Sequence, residues 1–103
     1  MINTFESVKA MKVAKLDDLS SAYKDADGKS FHIYVVPGAG ATLDAGETII
    51  INAKPTRNDS SVDVPVCIGD WSPIVFEEIS ASTDQTDLDL DNYDVYVSPI
   101  ENY

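Results

Sequence analysis

Val62–Ile79, VDVPVCIGDWSPIVFEEI, is the stretch whose reading decides the fold. In its first part Val62, Val64, Val66 and Ile68 fall on one face of an extended chain and Asp63, Pro65 and Cys67 on the other, the period of two that marks a strand. Gly69-Asp70 breaks that run, and Ser72-Pro73 launches a second apolar run, Ile74–Ile79. The two meet at a corner that holds the only tryptophan, Trp71. A proline within a strand removes a ladder donor, so Pro65 places the first strand at an edge or a bulge. An edge is where another subunit can add, and the corner therefore reads as packing and partner contact rather than catalysis.

Working outward, Thr48–Ala53 (TIIINA) is β-branched and short enough for a buried strand. It is entered through the tight turn Thr42–Glu47 and followed by the polar loop Lys54–Ser61. Further upstream, Lys29–Val36 alternates Phe31, Ile33 and Val35 against His32, Tyr34 and Val36. It lies between the turn Asp25-Ala26-Asp27-Gly28 and the loop Pro37-Gly38-Ala39-Gly40. Downstream, a polar segment precedes the last strand, Tyr93–Ser98, in which Tyr93, Val95 and Val97 face one way.

The first 24 residues admit two readings. Phe5, Val8 and Leu16 nearly fit a helical stripe, whereas Met11, Val13 and Ala14 suit a strand, and Asp17 ahead of Leu19, Ala22 and Tyr23 suits one capped helical turn. Five or six strands about ten residues apart, punctuated by Gly, Pro and Asp turns, predict an all-β fold. The expectation is a small antiparallel β-sandwich or jelly-roll-like barrel spanning residues 25–103. Residues 1–24 form an N-terminal arm or first strand and a short helical turn.

A chain of 103 residues is the size of one domain, and its 44% hydrophobic content supports a modest core. Eighteen acids against seven Lys and Arg give a net charge of −11, which opposes nucleic acid and anionic membranes, since phosphate contacts need cations. The excess is concentrated in residues 52–103, where eleven acids face only Lys54 and Arg57. The single Cys67 makes no intrachain disulfide, and no basic segment followed by a long apolar run opens the sequence, so synthesis and folding in a reducing cytoplasm are expected. No run approaches the roughly 20 apolar residues that a membrane helix needs.

Alternating carboxylates at Asp87, Asp89 and Asp91 share one side of an extended chain and are calcium candidates, although the glycine and closing glutamate of a twelve-residue calcium loop are replaced by Asn92 and Ser98. Asp25-x-Asp27-Gly28 is hairpin-turn chemistry. His32 and Cys67 are the sole histidine and thiol, but both lie inside strands, which favours packing over a nucleophilic pair. Glu77 and Glu78 are neighbours in a strand and should point to opposite faces. Trp71 with Tyr23, Tyr34, Tyr93, Tyr96 and Tyr103 could stack on sugars, which makes a carbohydrate- or receptor-binding β-sandwich the alternative function. The structural role for Trp71 is a plug at one end of the fold. No catalytic residue, cofactor or firm metal site is expected.

From Phe31 to Ile79 the chain resembles the small all-β virion proteins of tailed bacteriophages, of head-decoration, auxiliary or fibre-base type. The resemblance rests on FHIYVVPG, on TLDAGETIII and on DWSPIVFEEI ahead of an acidic tail. It implies a non-enzymatic structural subunit, made in the host cytoplasm and incorporated in the virion, that forms a homo-oligomer and docks on other virion proteins. Trp71, Pro73, Pro65, Phe5 and Val8 are the residues expected to make those contacts.

Overall fold

The computed structural model describes residues 12–100. They form strands β1 (Ala14–Lys15), β2 (Phe31–Pro37), β3 (Thr48–Pro55), β4 (Val62–Cys67), β5 (Phe76–Ile79) and β6 (Tyr93–Pro99), with one 3-10 turn at Ser82–Asp84. All pairings are antiparallel, in one sheet of order β1-β6-β2-β5-β3-β4. The fold is therefore all-β, as the alternating sequence predicts.

β4 and its pairing with β3 both end at Cys67, but the chain beyond them goes on bonding to neighbouring strands. Ile68 still donates to Glu47 O, at 2.9 Å, but Gly69 then donates to Val35 O and Ser72 to Ile33 O, at 2.9 and 2.8 Å. The chain has crossed from β3 to β2. Gly69 makes this crossing at φ 96°, in the left-handed region that a side chain disfavours. The corner after β4 thus ties the β3–β4 pair back to β2, while β4 itself remains an edge strand of the sheet.

Alternation delivers one apolar side of the long strands to the interior. Phe31, Ile33 and Val35 from β2, Ile49, Ile51 and Ala53 from β3, and Val95 and Val97 from β6 are all 0% exposed. Phe31 and Phe76 are register partners and both fully buried, so one aromatic pair fastens β2 to β5. Each such ring is worth about 1.5–3 kcal/mol relative to leaving it in water. Along β4 the burial fades from Val66 at 2% to Val62 at 40% exposed, as the strand runs off the end of the core.

Pro65 lies on the edge strand, as expected. Ile50 N and Asn52 N point away from β4, so it is the intervening residues Ile49, Ile51 and Ala53 that bond β4 through Val66, Val64 and Val62. The missing N–H of Pro65 therefore faces the open edge and no ladder bond is lost. The same alternation turns the imide nitrogens of Pro37, Pro55 and Pro99 toward sides where the neighbouring strand has already ended.

One expectation changes. The helical turn over Asp17–Tyr23 does not form: Asp18 accepts from Ser20 N at 2.9 Å, a local bend, and Tyr23 bridges to Ile79. β1 pairs with β6, the first strand that one reading of residues 1–24 offers, and Leu16 and Leu19 are 6% and 3% exposed within the core. Phe5 and Val8 lie outside the described residues.

Candidate functional surface

The outward positions of β2 and β6 carry what the core pattern leaves over. Tyr34 and Tyr96 are register partners, His32 faces Ser98, and Val36 faces Asp94. The corner after β4 brings Trp71 beside them. The ring centres of Trp71 and Tyr34 lie 5.0 Å apart, and those of Tyr34 and Tyr96 6.4 Å apart, so the three make one half-buried row. Neighbouring rings are inclined by 43° and 64°. Such tilted and edge-on contacts suit the ring quadrupoles but present no common plane. At the far end Lys15 pairs with Asp94 at 3.5 Å.

The corner that positions Trp71 is fixed by Ser72, which is 3% exposed. Its Oγ accepts from Ile33 N and donates to Ile74 O, both at 2.9 Å. His32 Nδ1 lies 2.7 Å from Ser72 O; a carbonyl can only accept, so this nitrogen carries the proton. The histidine is thus a strut for the corner. Pro73 and Ile74 are exposed beside it, Ile74 to 43%.

The other aromatic candidates do not join the row. Tyr23 packs edge-on against Phe31 at 5.3 Å, and burial, followed by the charge of Asp25, pushes its hydroxyl pKa up. Tyr93 is 3% exposed and its hydroxyl accepts from Leu43 N at 3.2 Å. Tyr103 lies outside the described residues. Pro65 belongs to the outer side of the β3–β4 pair, apart from Trp71 in the strand order.

The three calcium candidates have separate surroundings. Asp87 Oδ2 accepts from Ile50 N at 3.0 Å, whereas Asp89 binds Asn92 through both oxygens, Oδ1 from the backbone N at 2.8 Å and Oδ2 from Nδ2 at 3.2 Å. Asp89 and Asp91 border an open cavity of about 280 Å³ with Asp17, Asp18, Ser20 and Ser82, and Asp87 is not part of its lining. Asp18 is held below the ordinary carboxylate range by the N–H of Ser20 and then by its hydroxyl. Among the described residues no group of three or more His, Cys, Asp or Glu is arranged to hold a metal.

Cys67 and His32 are engaged separately. Cys67 is exposed opposite Thr48 and its sulfur lies 3.8 Å from Ile68 O. Desolvation by the adjoining chain, then a hydrogen bond and charge from Asp70, push its pKa up, away from a reactive thiolate. Glu77 and Glu78 do not split between faces. The register passes from Lys54↔Glu78 to Pro55↔Phe76, which leaves Glu77 as the extra residue of a bulge. Both carboxylates end up outside, Glu77 on Lys54 and Glu78 on Lys24.

Comparison with family models, with curated proteins and with solved structures returns no match for this chain.

Proposed function

We propose that this chain is a non-enzymatic structural subunit of a bacteriophage particle, of head-decoration or auxiliary type, acting by association with copies of itself and with other virion proteins. The observation that carries the reading is the outward row Trp71–Tyr34–Tyr96, continued by exposed Pro73 and Ile74. Aromatic side chains held on a sheet are common anchors of protein interfaces, because they bring large contact area at small entropy cost. Rings inclined to one another leave clefts that accept side chains of a partner. The acidic excess keeps the remaining surface from unspecific association. Sequence likeness from Phe31 to Ile79 supplies the virion setting, with synthesis in the host cytoplasm.

Carbohydrate binding is the second reading, and the same three rings favour it. The inclinations separate the two, since successive pyranose units pack best on ring faces that share a plane. The deciding measurement is mass in solution over a range of concentrations, together with copy number in purified particles. The expected result is an oligomer, weakened by Trp71→Ala, with a fixed copy number. A strict monomer absent from any particle refutes the proposal. A change in Trp71 fluorescence on sugar titration transfers the row to the second reading.

A further inference from the structure

The segment after β5 crosses β3 on the side away from β4, and there β3 has no strand beside it past Ser80, whose N donates to Asn52 O at 3.1 Å. Side chains stand in. Asp87 Oδ2 accepts from Ile50 N at 3.0 Å, Gln85 Oε1 accepts from Asn52 N at 2.8 Å, and Gln85 Nε2 donates to Asn52 O and to Ser80 O at 2.8 and 2.9 Å. Residues two apart on the segment thus copy the spacing with which a strand would meet alternate residues of β3. Leu88, 3% exposed, and the bond from Ser82 N to Leu19 O hold the segment down, while Ser82, Thr83, Asp84 and Thr86 are exposed.

We propose that residues 80–88 are a guard on a strand-accepting edge: while Gln85 and Asp87 are in place Thr48–Asn52 is closed, and their release opens it to an extended segment of a second copy of this chain. The edge itself suits a second copy as partner. Thr48–Ala53 is an uncharged run with three consecutive isoleucines in a chain whose charged residues make up 24%, so self-pairing here meets no charge opposition. Uncharged, β-branched runs of six residues are the kind that pair with their own copies. The opposite edge, β4, is blunted by Pro65, which offers no outward N–H there. The β3 edge is blocked only by side-chain bonds, which can let go. This inference deepens the self-association reading above and takes from it the identity of the partner as a second copy.

The test compares Gln85→Ala/Asp87→Ala with Asp87→Asn, which keeps an acceptor oxygen, by sedimentation velocity over rising concentration with circular dichroism as the check on folding. The double variant is expected to stay folded and to shift to dimers and larger species, while Asp87→Asn sediments like the wild type. A folded double variant that sediments like the wild type at every concentration overturns the inference. If the double variant unfolds, hydrogen exchange in the wild type decides. Amides of Ile50 and Asn52 exchanging at least ~10-fold faster than those of Ile49 and Ile51 show the guard opening on its own, and a smaller difference overturns it. A wild type that assembles through Trp71 while the double variant adds nothing removes the guard and leaves the proposed function standing. A monomeric wild type with an associating double variant does the reverse.

Discussion

Replacing Ser72 with alanine removes one oxygen from the point where the chain crosses from β3 to β2. Ile33 is 0% exposed and its N–H loses its acceptor, while its own carbonyl keeps the bond from Ser72 N at 2.8 Å. A buried donor left unpaired costs about 1–3 kcal/mol. The second bond, to Ile74 O, matters less, because Ile74 is 43% exposed and water can replace the hydroxyl. The expected loss is about 2 kcal/mol, equivalent to a fall in Tm of about 8–16 °C for a domain of this size. Urea unfolding followed by the fluorescence of Trp71 and by circular dichroism measures it, and the slope against urea should stay unchanged. Exposed Ser82→Ala is the control, expected within about 0.5 kcal/mol of wild type. A Ser72→Ala protein as stable as that control refutes the view that the corner hangs on this hydroxyl.

Three further perturbations follow from the same geometry. The pKa of Glu77 is held below its ordinary value of 4.5 by the hydrogen bond from Lys54 and then by Arg57 N–H, so its stabilising effect is full above that value and lost as pH falls through the lower, folded one. Lys54→Met should therefore be less stable than wild type at neutral pH, and the gap should close on acidification in parallel denaturant titrations; a gap constant with pH refutes the pairing. Cys67, though exposed, should react with a disulfide reagent more slowly than a free thiol at pH ~8, and Asp70→Asn should speed it, because the raised pKa comes in part from that carboxylate. Equal rates would count against the role of Asp70. Gly69→Ala should lose about 1–2 kcal/mol, a purely backbone effect of φ 96°, since the added Cβ meets only Ala45 Cβ at an ordinary 3.7 Å. Chemical denaturation checks it, and an unchanged midpoint would show that the turn relaxes.

What the sequence discloses and what it hides divide along physical lines. Strand alternation is enforced by the core, so Phe31/Ile33/Val35 and Tyr93/Val95/Val97 were readable and are buried as one side. The edge position of Pro65 was readable because a missing donor excludes a central strand. The bulge at Glu77 was not, since it depends on how β3 and β5 fit together rather than on either segment alone. For the same reason Asp87 looked like a ligand: an acidic residue in a polar loop gives no sign that it will meet a main-chain N–H 37 positions away. Tyr93 suits the sequence pattern both as a core position and as a platform residue, and its inward register decides for the core. Within the aromatic row only proximity was hidden, because Trp71 joins Tyr34 through the crossing after Gly69.

That crossing and the β3 guard are two answers to one difficulty. A short sheet that wraps round its core must leave a strand before its neighbour ends, which exposes main-chain groups in a region where burial forbids them to stay unpaired. At Ile33 the chain satisfies them with Ser72 Oγ, and at Ile50 and Asn52 with Asp87 and Gln85. Ser72 is nearly inaccessible, whereas Gln85 and Asp87 are partly exposed on a segment with four exposed residues. Water can compete for the second set and not for the first. The corner is thus the fixed joint of the fold and the segment after β5 the part able to open, so a change of assembly state should alter the protection of Ile50 and Asn52 while leaving Ile33 as it is.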